Sequence, residues 1–267
     1  MGERLKGKVA IITGGNSGIG ASTGQLFAKE GARVVLMARR EEQGQMVANS
    51  ICDDGGEAIF VGCDVGDHDS VSRAVEEAAA AWGRIDLLFN NAGGGAGSSF
   101  PEDPIVEWQR VIQTILSGTF FLSVAVWPLF VDAGGGAVVN MSSLAAQRGF
   151  SPAIKKEFGT TSSSYYAAKA GVDALTRYMA GVGGESNIRV NCVRPGQILT
   201  PGATGGTTSD PDGGHHVFEK MFDYFQIVKG PGYPIDVANL VLFLSCDESR
   251  FINGEMINVD GGVAAKI

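Results

Sequence analysis

Tyr165 and Lys169 stand four residues apart in SYYAAKAGVDALTRYMA, a stretch with helical patterning. That spacing places both side chains on one helix face, within reach of each other. A phenol, with an ordinary pKa of about 10, is a poor acid or base near neutrality. A neighbouring ammonium favours phenolate and lowers that value. Such a pair is suited to moving a proton at an oxygen atom. Taken alone, the same spacing is better explained as an exposed pair on a helix surface, so the positioning elements must decide.

A second chemical signal is TGGNSGIG at 13–20, directly after the apolar run VAII. Gly14, Gly18 and Gly20 give the spacing GxxxGxG between a strand pattern and a helix pattern. Free N–H groups at a helix N-terminus, with its partial positive charge, would hold a pyrophosphate there. The plain alternative is a flexible loop. At the end of the second strand pattern, VVLMARREE offers Ala38 and then Arg39 and Arg40, where an acidic residue would bind a ribose 2′-hydroxyl. A guanidinium there can grip a 2′-phosphate with two hydrogen bonds. The alternative is that both arginines begin a solvated helix face beside Glu41 and Glu42.

The elements around these residues alternate. VAIIT, ARVVLM, EAIFVG, IDLLFN, GAVVNM, IRVNCV and EMINV are short β-branched runs separated by amphipathic segments. This predicts an α/β fold, a single doubly wound Rossmann-type domain over 1–267 with a parallel sheet and helices on both faces. Two stretches break the alternation, 147–164 and 200–216, each following a strand and so placed where open α/β sheets bind ligands. With the aromatic-rich KMFDYFQIV at 220–228, expected as core or as a cap over an apolar substrate, they are the expected substrate loops, near 147–164 and 200–230. Trp82, Trp108 and Trp127 are expected to pack.

Composition narrows the function. The chain has 267 residues, 44% hydrophobic, with a formal net charge of −8. It is large enough for a full core, and its acidity without a basic block argues against nucleic acid. Cys52, Cys63, Cys192 and Cys246 are scattered and form no CxxC pair, which predicts reduced thiols of a cytoplasmic protein. His215 and His216 lie in a glycine-rich run near Asp210 and Asp212 without metal-ligand spacing, so a lid and no metal site is expected. MGERLKGK leads straight into a strand, leaving no room for a signal peptide. TFFLSVAVWPLFV is too short to span a bilayer and interrupted by Pro128, which predicts a soluble protein without membrane association.

Over almost its whole length the chain resembles the short-chain dehydrogenase/reductase family. TGGNSGIG, CDV at 63–65, NNAG at 90–93, NMSS at 140–143, YYAAK at 165–169, IRVNCVRPG at 188–196 and NVDGG at 258–262 match the family's motifs in order. The resemblance implies a seven-stranded sheet and NAD(P)-dependent transfer of a hydride to or from a small-molecule carbonyl or secondary alcohol. It implies Tyr165 as general acid/base, Lys169 as the group that lowers its pKa and holds the nicotinamide ribose, and Ser143 as the donor to the substrate oxygen, with Ser142 as alternative. Tyr166 matches a variable position expected to pack or to face substrate. The residues implied around the cofactor are Gly14, Asn16, Ser17, Gly18, Ile19 and Gly20, then Asp64 and Val65, then Asn91, Ala92 and Gly93. Pro195, Gly196, Ile198 and Thr200 complete the set with Tyr165 and Lys169. Arg39 and Arg40 with Ala38 favour NADP(H), with NAD as alternative. A homo-oligomer, tetramer or dimer, is also implied. One departure stands out: Ile115 occupies the position of the family's relay asparagine. That leaves open a nucleotide-binding sensor with weak catalysis.

Overall fold

The computed structural model describes residues 3–95, 97–158, 161–200, 222 and 224–265. Seven strands form one parallel sheet in the order β3-β2-β1-β4-β5-β6-β7. They are β1 (Val9–Thr13), β2 (Arg33–Ala38), β3 (Glu57–Gly62), β4 (Leu87–Asn90), β5 (Gly136–Met141), β6 (Ile188–Pro195) and β7 (Met256–Val259). The first strands are continuously apolar because both sheet faces are covered: all five residues of β1 are buried. On one face α1 (Gly18–Lys29) and α2 (Glu41–Asp53) pack Phe27 and Ile51 against Ile12 and Leu36. The later helix α8 (Pro234–Ser245) adds Leu242 to that face. On the other face α3 (His68–Trp82) and α5 (Gly118–Asp132) bring Val71, Leu122 and Phe130 against Ile11 and Leu88.

Strand order reverses direction between β1 and β4, and the crevice at their C-terminal ends is where such sheets take ligands. The elements that reach this edge are the β1–α1 turn, α4 (Ile105–Ile112), and α7 (Ser163–Gly183), which carries Tyr165 and Lys169. α4 runs through a π-helical turn, Gln113–Ser117, straight into α5.

Three expectations need correction. Pro128 does not interrupt its helix: α5 continues to Asp132, because Pro128 lies on the exposed side, where water reaches the carbonyl it cannot bond. The continuous helix Ile105–Asp132 is long and apolar enough to cross a membrane by length and composition; here its buried face fills the core through Val111, Leu122, Val126 and Phe130. Residues 147–164 are not a plain loop, since α6 (Pro152–Phe158) forms within them. Trp108 does not pack like Trp82 and Trp127 but is 39% exposed. In the aromatic run Phe222 is buried, while Tyr224, Ile227 and Val228 are exposed. The run 201–216 with Asp210, Asp212, His215 and His216 lies outside the described residues, as do Lys220, Met221 and Asp223.

Candidate active site

The β1–α1 turn is built for close approach. Gly14 and Gly18 adopt φ of 63° and 55°, which disfavours any side chain. A Cβ on Gly20 would stand 2.3 Å from the Gly14 carbonyl oxygen, so the first helical turn presses directly on the loop. Ser17 is the N-cap residue of α1, but its side chain makes no capping hydrogen bond. The α1 N-terminus therefore keeps donors for a ligand. Asn91 locks the turn from β4, donating from Nδ2 to the Thr13 carbonyl at 2.9 Å, and Thr13 Oγ1 accepts from the N–H groups of Asn91 and Ala92.

A groove of about 590 Å³ opens from this turn along the ends of β2, β3 and β4. The turn residues Gly14, Asn16, Ser17, Gly18 and Ile19 and the strand-end residues Asp64, Val65, Asn91, Ala92 and Gly93 line it as expected, as does Thr200. Gly20, Pro195, Gly196 and Ile198 sit behind or beyond this lining. Gly20 supports the turn, and Ile198 is buried in the core on the α1 side. Arg39 and Arg40 both line the groove, and neither makes an ion pair among the described residues. Arg40 folds onto the turn. With the Asn16 amide oriented oxygen-first, that oxygen accepts from Arg40 Nε at 2.9 Å and Nη2 at 2.7 Å, and Arg40 Nη2 donates to Ser17 Oγ at 3.2 Å. Two uncompensated guanidinium groups, an uncapped helix end and a glycine cradle fit a phosphorylated dinucleotide.

Arg110 of α4 and Thr114 of the π-helical turn that follows it also line the groove, and sequence reasoning missed them. Their four-residue spacing on one helix face was the available signal. Gln113, at the start of the π-helical turn, donates instead to the Gly66 carbonyl at 2.8 Å, clamping that turn to the β3–α3 connection.

Ser143, Tyr165 and Lys169 are not part of the groove lining; their cluster stands beside it, where a Cβ on the lining residue Gly95 would come 3.6 Å from Tyr165 Cβ. Burial of the phenol pushes its pKa up, while a hydrogen bond with Ser143 works against that shift and Tyr166 adds to it. The expected lowering by Lys169 is absent here. Lys169 Nζ lies 5.6 Å from the Tyr165 ring centroid, over the ring face, and donates to the Met141 carbonyl at 2.6 Å. Burial lowers the lysine itself to about 8, opposed by neighbouring Cys192 and Asp173. The two serines differ in their partners. Ser142 is buried and donates to the Lys169 carbonyl at 3.2 Å, whereas Ser143 meets the phenol. Tyr166 packs edge-on against Phe150.

Ile115 sits where the relay asparagine would be. It is 1% exposed in a cluster with Val111, Ala168, Val172 and Cys192, and Tyr165 packs against that cluster. A Cβ on Gly93 would meet Ile115 Cγ1 at 2.8 Å, so isoleucine fills the space between groove and phenol. Thr119 Oγ1, on the same helix face one turn later, is occupied: it donates to the Ile115 carbonyl at 2.7 Å.

One turn past Lys169, Asp173 accepts from Arg194 Nε at 3.0 Å and Nη2 at 2.6 Å, a largely buried ion pair. Arg194 also donates to Gln147 Oε1. This chain of contacts ties the segment after Ser143 to α7, which answers how Ser143 and Tyr165 are brought together across a long insert. Next to Gln147, Arg148 donates to the Ala264 carbonyl, tying the same segment to the turn after β7.

Comparison with known proteins follows this geometry. A family model described as enoyl-(acyl carrier protein) reductase matches residues 14–264. The chain is 36% identical to the 3-oxoacyl-[acyl-carrier-protein] reductase of Chlamydia muridarum, over 99% of this chain and 100% of that protein. The solved complex of 7α-hydroxysteroid dehydrogenase with NADH and 7-oxo glycochenodeoxycholic acid is 32% identical, with a TM-score of 0.86 over 97% of this chain and 95% of that one. A short-chain type dehydrogenase/reductase from Mycobacterium marinum gives a TM-score of 0.85 at 29% identity, covering 98% of this chain and 97% of its own.

Proposed function

The chain belongs to the short-chain dehydrogenase/reductase family of oxidoreductases, and we propose that it transfers a hydride between NADP(H) and a small carbonyl or secondary alcohol. The observation that carries the cofactor choice is the pairing of Ala38 with two arginines that make no ion pair among the described residues. At the end of β2 there is no carboxylate to repel a 2′-phosphate, and Arg39 and Arg40 flank the groove. Bound dinucleotide supplies or accepts the hydride. The Ser143 hydroxyl and the Tyr165 phenol hold the substrate oxygen, and Tyr165 gives it a proton in reduction or takes one in oxidation. Lys169, whose Nζ lies over the ring face of Tyr165, is assigned to holding the nicotinamide ribose rather than to lowering the pKa of the phenol. With isoleucine at 115, the proton returns to Tyr165 by a route that side chain cannot serve.

NAD(H) is the second reading, favoured by the NADH bound to the structurally similar 7α-hydroxysteroid dehydrogenase. Titration of NADPH and NADH into the protein and its Arg39→Ala variant separates them. NADPH is expected to bind more tightly and to lose about 1.5–3 kcal/mol on Arg39→Ala, the range for hydrogen bonds to charged groups. Equal affinities of the intact protein for both dinucleotides would exclude the NADP(H) assignment.

Association into a dimer or tetramer is part of the proposal. Phe120, Val124 and Val131 of α5 are each close to half exposed, and Tyr178 and Val182 of α7 more than half. Light scattering that reports a monomer at micromolar concentration would contradict it. The four free cysteines, three of them buried, suit a reducing cytoplasm; a disulfide found in protein isolated from its native cells would count against that placement.

A further inference from the structure

Gln197 stands among residues that the family resemblance assigns to the dinucleotide, with Pro195 and Gly196 before it and Ile198 and Thr200 after; of these four, Thr200 lines the groove. Its side-chain oxygen, Oε1, is buried and accepts no hydrogen bond, and no other buried side-chain nitrogen or oxygen among the described residues is left so. Elsewhere the interior polar groups are matched. Asn90 donates to Asn140 Oδ1 and to Ser123 Oγ, and Asn140 donates to Thr176 Oγ1. A buried acceptor without a donor is costly and rare, and calls for an explanation.

The backbone around Gln197 is pinned. Ile198 bridges to Gly232, and the Leu199 N–H donates to the Gly232 carbonyl at 2.9 Å. A Cβ on Gly232 would stand 3.0 Å from the Gln197 carbonyl oxygen, and one on Gly196 2.9 Å from Asp260 Cα, so neither flank has room to shift. The place is the reactive edge of the sheet. β5 and β6 pair with Met141 opposite Val193, and the Ser142 N–H donates to the Val193 carbonyl. Ser143 therefore lies two residues past the paired edge on one strand and Gln197 four residues past it on its neighbour.

We propose that Gln197 is a ligand-binding residue whose side-chain carbonyl accepts a hydrogen bond from a neutral N–H or O–H donor carried by the ligand next to the reacting centre. An anion brings no donor, and Lys169 at the same edge disfavours a cation. Two groups have this chemistry: the carboxamide of the nicotinamide ring, and a hydroxyl beside the substrate carbonyl. The assignment rests on the groove being a dinucleotide site.

The first test needs no ligand. Gln197→Met and Gln197→Leu remove the acceptor at similar volume, and the melting midpoint of the ligand-free protein is expected to rise by about 2–4 °C. An unchanged or lower midpoint in both variants overturns the proposal. The second test compares NADP⁺ with its 3-acetylpyridine analogue, whose methyl ketone has no amide N–H. A preference for NADP⁺ on the order of tenfold, lost in Gln197→Met, identifies the carboxamide as the donor. The third compares turnover of 2-butanone and 3-hydroxy-2-butanone. A similar preference for the hydroxyketone, lost in the variant, identifies the substrate hydroxyl. No variant-sensitive preference in either comparison overturns the proposal. Failure of every dinucleotide to bind would instead strike the function proposed above, because the melting comparison is made without one.

Discussion

Lys169→Met tests the electrostatics of the site without any substrate. The ammonium is 3% exposed, its Nζ is hydrogen-bonded to the Met141 carbonyl, and burial lowers its pKa from 10.5 to about 8. In the unfolded chain the lysine keeps the ordinary value, so between pH 8 and 10.5 the unfolded state holds a proton that the folded state has released. Stability from this residue must therefore rise with pH across that window, and the burial cost is greatest below pH 8. The full cost is about 3 kcal/mol at neutral pH, and about 1 kcal/mol of it is relieved by pH 9. Methionine keeps the stem volume but cannot titrate. Tyr165 shifts in the opposite sense, since its raised pKa removes stability above pH 10, but it is present in both proteins and cancels from their difference. Urea unfolding of both proteins at pH 7, 8 and 9 is the assay. Relative to wild type, the variant is expected to lose about 1 kcal/mol between pH 7 and pH 9. A difference that stays constant over this range would refute the buried-ammonium argument.

Two further perturbations follow. Arg194→Met leaves the Asp173 carboxylate buried and unpaired, and is expected to cost about 3–5 kcal/mol in urea unfolding, with much of it recovered by adding Asp173→Leu; additive losses would show that the pair is not a unit. Ile115→Asn buries an amide among Val111, Ala168 and Val172 and is expected to destabilise by about 2–4 kcal/mol. If proton return limits the reaction, the same variant turns over faster at unchanged cofactor affinity, and an unchanged rate would remove Ile115 from the account.

The strands were legible because each is an apolar β-branched run, and the glycine turn because only glycine tolerates its positive φ values. Tyr165, Lys169 and Ser143 were legible as motifs, but their electrostatics were not. The expected lowering of the phenol assumed that Lys169 faces the hydroxyl, whereas its nitrogen lies over the ring and bonds Met141. The π turn had no signature, since a change from i+4 to i+5 hydrogen bonding leaves the apolar spacing nearly intact. Helix α6 is only seven residues in a stretch rich in glycine and serine, too short for a period to emerge. The contact between Arg40 and Asn16 joins two turns 24 residues apart, and the orphaned oxygen of Gln197 is defined by what surrounds it. Neither can be read along the chain.

The central claim is that Tyr165 moves the proton while a bound NADP(H) moves the hydride. The most direct measurement follows deuterium from 4-deuterated NADPH into the alcohol formed from a ketone that the protein reduces, in wild type and in Tyr165→Phe. The account predicts label at the carbinol carbon with wild type, and almost none with Tyr165→Phe although that variant binds NADPH as tightly. Label transfer at the wild-type rate by Tyr165→Phe would contradict it.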